Sequence, residues 1–219
     1  MSLSAKERQR RRAILDRLAE LYPGDVRTLC ALRFDGPFQL AVATILSAQC
    51  TDVTVNQVTP GLFNAYPDAA SLAEADPAQV ESLIYRTGFF RNKAKNIIGF
   101  AQGVRDRFGG QVPNAMDDLV SLPGIGRKTA NVVRSVAFDL PGLAVDTHVM
   151  RLSRLLGLTK ASDPTRIEKD LTTWLEPSET GLVSLRLILH GRAVCIARRP
   201  RCGSCELADL CPSRRLTSA

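Results

Sequence analysis

The chain has 219 residues, of which 45% are hydrophobic and 23% are charged, so it can bury one large core or two modest ones. Its formal net charge of +7 indicates an anionic partner, and nucleic acid is the first candidate because a polyanion attracts a basic surface. No run of about 18 apolar residues occurs, which excludes a membrane-spanning helix and a membrane partner. We therefore expect a cytoplasmic protein.

The N-terminal segment predicts an amphipathic surface helix. Ile14, Leu15, Leu18 and Leu21 recur at helical spacing behind a basic first turn. Charged residues and a glycine interrupt the apolar stretch, so the segment is not a secretory signal peptide.

Helical patterning continues through most of the chain. Asp76 and Asp163 each precede a proline, which is typical of a capping acid followed by proline at the first helical position. Apolar side chains recur at helical spacing in two further segments: Phe38, Val42, Ile45 and Leu46, and Ile97, Ile98, Ala101 and Val104. The alternating runs typical of strands are missing. The sequence therefore predicts an all-α fold.

A tight turn between two helices is predicted by residues 122–130, which read LPGIGRKTA. A nucleotide-binding P-loop requires a glycine immediately before the lysine, but Arg127 stands there and no strand precedes the turn. The segment instead predicts a helix-hairpin-helix in which Gly124, Ile125 and Gly126 bring backbone N–H groups to a phosphate. Such a hairpin also occurs in DNA-binding modules that have no catalytic activity.

Lys128 follows this turn, in the first turn of the second helix, and is either another phosphate contact or a nucleophile. A nucleophilic amine must be neutral, although the reference pKa of a lysine is about 10.4. Making an amine neutral near pH 7 requires ~4 kcal/mol, of which a helix N-terminus supplies at most ~2 kcal/mol. Desolvation and the adjacent Arg127 would have to provide the remainder.

Asp146 lies in the segment LAVDTHVMR, residues 143–151, at a position typical of a helix-capping acid. By itself the pattern favours capping. The alternative is a carboxylate that takes a proton from an attacking amine or stabilises a cationic sugar intermediate.

Four of the six cysteines, Cys195, Cys202, Cys205 and Cys211, fall within one short C-terminal segment and indicate a metal site rather than disulfides. Zinc sites built from four cysteines usually contain two tight pairs, but only the middle pair here is tight. The long, short and medium spacings favour the bulkier 4Fe-4S cluster over a single ion.

Arg198, Arg199 and Arg201 lie in the loop between the first two cysteines of this quartet. Because the loop is held at both ends, it predicts a rigid cationic finger suited to phosphates. The alternative is a solvated basic loop that offsets the negative charge of the cluster. The other two cysteines, Cys30 and Cys50, are expected to be buried apolar side chains.

Together these motifs closely resemble the endonuclease III family of DNA glycosylases and abasic-site lyases of base-excision repair. The resemblance extends from the helix near Ile14 to Cys211. It rests on LPGIGRKTA, VDTHV, the cysteine quartet, LSAQCTD at residues 46–52 and ILHGRAVCIARRPRC at residues 188–202.

The resemblance implies two helical domains with a DNA-binding cleft between them. A six-helix domain over residues 30–140 would carry the hairpin. Residues 1–29 and 141–219 would form the second domain, which holds the 4Fe-4S cluster on the four cysteines.

The resemblance also implies roles for single residues. Lys128 matches the nucleophile that forms a Schiff base, and Asp146 matches the catalytic aspartate. Gln49 and Phe89 match residues that fill the gap left by a flipped nucleotide. Phe89 departs from the leucine that a member of the family has there, and an aromatic wedge would stack more strongly on neighbouring bases. The alternative for Phe89 is an aromatic side chain of the core.

The expected enzyme is a nucleoid-associated monomer that acts on double-stranded DNA containing oxidised pyrimidines or abasic sites. Lys128 would attack C1′ of the deoxyribose, the base would leave, and β-elimination would nick the strand. Adenine-mismatch glycosylases share the hairpin, the aspartate and the cluster, but they lack this lysine and have a further C-terminal domain. A non-catalytic DNA-binding module and a ferredoxin are the alternatives from other classes.

Overall fold

The computed structural model describes residues 4–214, and the regular secondary structure within that range is entirely helical. The prediction of an all-α fold is confirmed. By its internal contacts the described chain divides into two compact units. The continuous unit spans Cys30–Gly142, and the discontinuous unit joins the residues up to Leu29 to those from Leu143 onward. None of the described helices is long and apolar enough to cross a membrane.

The α-helices, in chain order, are α1 (Ala5–Leu21), α2 (Val26–Leu29), α3 (Gly36–Leu46), α4 (Asp52–Ala65), α5 (Ala69–Ala73), α6 (Pro77–Ile84), α7 (Phe90–Phe108), α8 (Met116–Val120), α9 (Arg127–Ala137), α10 (Thr147–Leu155), α11 (Pro164–Thr172) and α12 (Thr180–Ala193). Helices α3 to α9 form the continuous unit, and the other five belong to the discontinuous unit. Three short 3-10 turns complete the helical structure of residues 4–214, at Tyr85–Thr87, Pro177–Glu179 and Cys202–Ser204.

The core of the continuous unit is built around α3 and α7. The two apolar faces predicted from the sequence are confirmed: Val42, Ile45 and Leu46 are buried, as are the four predicted residues of α7. Phe38 is half-buried and stacks on the buried Phe100, with ring centroids 5.9 Å apart. Burial of each such side chain contributes roughly 1.5–3 kcal/mol, so these faces fix the packing of the unit.

The core of the discontinuous unit joins the N-terminal helix to the C-terminal segment. Ile14, Leu15 and Leu18 of α1 are buried, whereas the fourth residue of the predicted stripe, Leu21, is 38% exposed. From the same helix, Arg10 donates from Nη1 to the carbonyl oxygens of Leu156 and Leu210. These bonds satisfy backbone acceptors far along the chain and tie α1 to both segments.

The predicted helix starts are also confirmed. Helix α6 begins at Pro77 and α11 begins at Pro164. The Asp76 carboxylate accepts from the backbone N–H of Ala78, and the Asp163 carboxylate accepts from that of Arg166. Each acid therefore caps its helix as the sequence indicated.

Gly142 lies where the continuous unit closes against α9. A Cβ at this position would lie 2.4 Å from the backbone oxygen of Asn131, which a flexible side chain cannot relieve. We expect Gly142→Ala to lower the free energy of unfolding by roughly 1–3 kcal/mol, because one of the two backbone segments must shift. Gly126→Ala is the matched control, since nothing lies within 4 Å of its added Cβ. Equal urea midpoints for the two variants would contradict this expectation.

Candidate functional site

The LPGIGRKTA segment forms the predicted helix-hairpin-helix. Helix α8 ends at Val120 and α9 begins at Arg127, so the hairpin lies between them. The backbone N–H of Ile125 donates to the carbonyl of Leu122 at 3.2 Å, and the Ile125 side chain is buried. Gly124 has a φ of +76°, a conformation that favours glycine.

The two glycines of the hairpin serve different purposes. A Cβ at Gly124 would lie 3.0 Å from Cβ of Asn96 and 3.2 Å from Cδ1 of Ile45, so this glycine is required by packing as well as by its backbone. A Cβ at Gly126 would meet nothing within 4 Å. Gly126 therefore leaves open space in front of the hairpin, where a ligand can approach the backbone.

Two glycines of α7 that the sequence analysis missed support the hairpin from behind. A Cβ at Gly99 would lie 3.2 Å from the ring of Pro123, and one at Gly103 would lie 2.5 Å from Cδ2 of Leu122. They are four residues apart on one face of a 19-residue helix. That spacing inside a long helix was the signal that could have identified a close helix contact.

Lys128 is the second residue of α9 and is exposed. The N-cap residue is Gly126, which has no side chain, so no cap satisfies the N–H groups of the first turn. The side chain of Lys128 makes no hydrogen bond or ion pair with another residue of the described range. The start of α9 thus combines the positive end of a helix, an N-cap residue without a side chain and an accessible amine.

Asp146 belongs to the discontinuous unit, as the N-cap residue of α10. Its Oδ1 accepts from the backbone N–H of Val149 at 2.8 Å, so the capping interpretation is confirmed. The residue is half-buried, and Oδ2 makes no hydrogen bond to the part of the chain that is described. Capping uses one carboxylate oxygen and leaves the other for chemistry.

Gln49 and Phe89 share an uncommon conformation in the continuous unit. Both are exposed and have a positive φ, of 52° for Gln49 and 47° for Phe89. Non-glycine residues rarely adopt this region, and such strain is concentrated at functional sites. Phe89 is 65% exposed, so the alternative that it belongs to the core is wrong. The next residue, Phe90, is half-buried and packs on Tyr85 with ring centroids 4.9 Å apart.

Lys93 supports the turn that presents Phe89, and no sequence signal identified it. Its side chain is only 4% exposed, and Nζ donates to the carbonyl of Thr87 at 2.8 Å. Burial lowers the pKa of Lys93 from its ordinary value. The bond joins α7 to the 3-10 turn immediately before the exposed phenylalanine.

The four cysteines of the quartet, Cys195, Cys202, Cys205 and Cys211, line one pocket of the discontinuous unit. Within residues 4–214, no three His, Cys, Asp or Glu side chains converge as the ligands of a single metal ion do. Thiols that surround a pocket fit a group wider than one ion, which agrees with the interpretation from their spacing. Cys30 and Cys50, predicted to be buried, are half-buried.

Burial raises the pKa of Cys195, Cys205 and Cys211. Neighbouring thiolates of the quartet also raise the pKa of these three cysteines, since like charges disfavour one another. Several thiolates in this pocket therefore require a positive centre to hold them. Iron in a cluster supplies that charge, so the donor set fits an iron–sulfur group.

Arg151 and His190 surround two of these sulfurs and were not identified from the sequence. Arg151 donates to the carbonyl of Cys195 and approaches its Sγ at 3.6 Å. His190 is 2% exposed, and its Nε2 lies 3.5 Å from Sγ of Cys205. Both lie inside motifs that the sequence analysis quoted, but their contacts with the quartet depend on packing.

A backbone hydrogen bond closes the arginine loop beside its two cysteine ends. The backbone N–H of Arg201 donates to the carbonyl of Val194 at 3.0 Å, which closes the loop. Arg198, Arg199 and Arg201 are all exposed. The loop therefore presents three guanidinium groups to solvent from a closed turn.

Comparison with known proteins agrees with this geometry. Residues 42–177 match the HhH-GPD superfamily of base excision DNA repair proteins, and residues 195–211 match the iron-sulfur binding domain of endonuclease III. Endonuclease III of Synechocystis is 55% identical over 210 residues, which cover 95% of this chain and 94% of the relative.

Two solved structures are similar over nearly the whole chain. A non-covalent endonuclease III–DNA complex has a TM-score of 0.88 and 40% identity, and a trapped endonuclease III–DNA covalent intermediate has a TM-score of 0.88 and 41% identity. Each match covers 97% of this chain and 97% of the other.

Proposed function

This chain belongs to the endonuclease III family of base excision DNA repair proteins, and we propose that it removes oxidised pyrimidines from duplex DNA through an imine formed on Lys128. It is a DNA glycosylase and abasic-site lyase that binds DNA. The observation that carries the proposal is the exposed amine at the uncapped start of α9, directly after the hairpin. We further propose that it acts as a monomer at the nucleoid in the cytoplasm.

The hairpin would hold a phosphate of the DNA strand through its backbone. Backbone donors at a helix N-terminus attract an anion without reading the base, which suits an enzyme that must act at many sequences. The open space at Gly126 supports this contact, because a phosphate can approach the N–H groups closely there. Arg198, Arg199 and Arg201 would contribute further phosphate contacts from their loop.

We expect Gly126→Ala to weaken binding of a duplex that contains an abasic-site analogue by about tenfold, since the new Cβ would occupy the space of the phosphate. The free energy of unfolding should fall by less than about 1 kcal/mol, because nothing lies near that Cβ. Gly124→Ala should show the opposite pattern and lose about 2 kcal/mol or more of stability, since it combines a positive φ with close packing. Fluorescence anisotropy and urea unfolding measure the two effects.

Lys128 would act as the nucleophile of both chemical steps. Its neutral amine attacks C1′ of the extruded nucleotide, the bond from C1′ to the base breaks, and the base leaves with the bonding electron pair. Ring opening converts the adduct to an imine. Loss of a C2′ proton and departure of the 3′ phosphate then nick the strand, and hydrolysis of the imine returns the free amine. Asp146 would accept the proton of the attacking amine or stabilise the cationic sugar.

Gln49 and Phe89 would fill the gap left by the extruded nucleotide. Their exposure and left-handed backbone conformation support this role, since exposed side chains can contact DNA and such backbone strain is concentrated at functional sites. Lys93 would keep the turn before Phe89 rigid, so that the ring is in place before DNA binds.

We expect Phe89→Ala to slow release of an oxidised pyrimidine by about 5- to 150-fold, because stacking of an aromatic side chain on a base contributes ~1–3 kcal/mol. The rate of base release by Phe89→Leu should lie between the rate of Phe89→Ala and that of the unmodified enzyme. Nicking of a pre-formed abasic site should change less than about threefold, since no base has to be extruded. Single-turnover rates on both substrates test this, and equal losses on the two would exclude the wedge role.

The enzyme carries a 4Fe-4S cluster, and we propose Cys195, Cys202, Cys205 and Cys211 as its four ligands. The cluster would supply the positive iron centres that keep four half-buried thiolates together. It would thereby hold the arginine loop, whose two ends are cysteines of the quartet. No step of base removal passes through the cluster.

One experiment tests the proposal as a whole. The purified enzyme is incubated with duplexes that contain thymine glycol, a second oxidised pyrimidine, an oxidised purine, an abasic site or no lesion, with and without borohydride. We expect release of the pyrimidine lesions, nicking of the abasic site and a borohydride-trapped covalent complex. Nicking without release of any pyrimidine lesion would refute the proposed substrate class. Size-exclusion chromatography with light scattering would reveal a dimer if the monomer proposal is wrong.

A further inference from the structure

We propose that His190 donates a hydrogen bond from Nε2 to the sulfur of Cys205, that Tyr22 orients the imidazole for this bond, and that the pair raises the reduction potential of the cluster. The inference rests on the proposed ligation of the cluster by Cys205. His190 and Tyr22 are positioning residues in this scheme, because neither touches the DNA substrate.

The geometry places one polar contact on each nitrogen of the imidazole. His190 lies on α12 and is 2% exposed, so water does not compete for either nitrogen. Nε2 is 3.5 Å from Sγ of Cys205, and Nδ1 is 3.2 Å from the hydroxyl oxygen of Tyr22. The two rings meet edge to face, at 78° with centroids 6.0 Å apart.

The hydrogen-bonding roles of the two partners then determine which imidazole nitrogen of His190 carries the proton. A sulfur bound to iron is a thiolate and can only accept, so Nε2 must be the donor in the holoenzyme. A neutral imidazole has one N–H group, so Nδ1 is left as an acceptor. The Tyr22 hydroxyl is a donor and satisfies it. In this arrangement the Tyr22 hydroxyl donates to Nδ1 and Nε2 donates to the Cys205 sulfur, so both imidazole nitrogens have a partner.

Backbone contacts hold both rings in place. The carbonyl of Tyr22 accepts from Nε of Arg186 on α12 at 3.2 Å. The carbonyl of His190 accepts from the backbone N–H of Cys195 at 2.9 Å, so the residue that reaches Cys205 also positions the first cysteine of the quartet. The ring orientation is therefore determined by α1 and α12 together.

The expected consequence is electrostatic. Reduction adds an electron to the cluster, and hydrogen bonds to its sulfurs stabilise the added negative charge. The bond from His190 is buried, where a donor has a larger effect than in water. Its loss should therefore shift the reduction potential to a more negative value.

Three variants of the holoenzyme test this. His190→Leu removes the donor, His190→Gln keeps an N–H group near the position of Nε2, and Tyr22→Phe removes only the hydroxyl that orients the imidazole. Tyr66→Phe is the matched control, because it removes a tyrosine hydroxyl that bonds Gln79 in the other unit. Reduction potentials are measured by voltammetry of the DNA-free protein, with iron content and visible absorption recorded for each sample.

We expect the potential to become more negative in His190→Leu, to change less in Tyr22→Phe and in the same direction, and to stay near that of the unmodified protein in His190→Gln and Tyr66→Phe. Unchanged potentials in His190→Leu and Tyr22→Phe at full iron content would overturn the inference. If His190→Leu does not retain iron, the comparison of Tyr22→Phe with Tyr66→Phe decides alone. Absence of iron from the unmodified protein would instead refute the proposed ligand set.

Discussion

Lys128→Ala is expected to abolish the covalent complex that borohydride traps on damaged DNA. Release of an oxidised pyrimidine should slow by at least ~1000-fold, since removal of an enzyme's nucleophile has an effect of that size or larger. The side chain is exposed at the start of α9, so the substitution removes no packing, and alanine is the best helix former. The free energy of unfolding should therefore stay within about 0.5 kcal/mol of its original value.

Lys95→Ala is the matched control for this experiment. Lys95 is likewise an exposed lysine of a helix in the continuous unit, so its loss lowers the net charge equally. Gel analysis of the borohydride reaction should show a full covalent band for Lys95→Ala and none for Lys128→Ala. A band of normal intensity from Lys128→Ala would show that another amine forms the imine. A missing band in both variants would indicate that general charge, not this amine, limits the reaction.

Asp146→Asn is expected to have the second largest effect, because it removes the carboxylate charge while an asparagine can still cap α10. General-base assistance contributes roughly 10²–10⁴-fold, so base release should slow within that range. Stability should hardly change, since the side-chain oxygen of asparagine can accept from Val149 as Asp146 does. Single-turnover kinetics and urea unfolding on the same preparations separate the two quantities.

Asp163→Asn provides the control for Asp146→Asn, because Asp163 caps α11 with the same type of bond. Its base-release rate should equal that of the unmodified enzyme. Asp146→Ala should lose both the rate and about 1 kcal/mol of stability, since the cap is lost as well. If Asp146→Asn keeps the full rate and Asp146→Ala loses only stability, Asp146 is a capping residue without a chemical role.

Those parts of the site that consist of one short segment, with conformation set by residues close in sequence, could be predicted from the sequence. The hairpin follows from glycines and apolar residues within nine positions, and the caps of α6 and α11 follow from single Asp-Pro steps. The cysteine quartet is equally local. The hairpin and the caps depend on hydrogen bonds within one or two helical turns, whose partners are close in sequence.

Other features of the site depend on contacts between distant segments. The sequence left Phe89 open between a core side chain and a wedge, and only its exposure in the folded unit separates the two. Gly124 and Gly126 look alike in the sequence, yet α3 and α7 pack against one and not the other. Burial of Lys93 likewise depends on the surrounding helices, because a lysine has no apolar pattern that predicts it.

The sequence by itself determined that the protein is all-helical, which segments start helices and where the hairpin lies, and it predicted that four cysteines act together. The tertiary structure decided which of those side chains are exposed, which glycines are required by packing and which residues surround the cysteines. Tyr22 meets His190 across 168 positions of sequence, and His190 meets Cys205 across 15. Local spacing cannot encode such a chain, because its members are brought together only when α1 and α12 bury their apolar faces against one another.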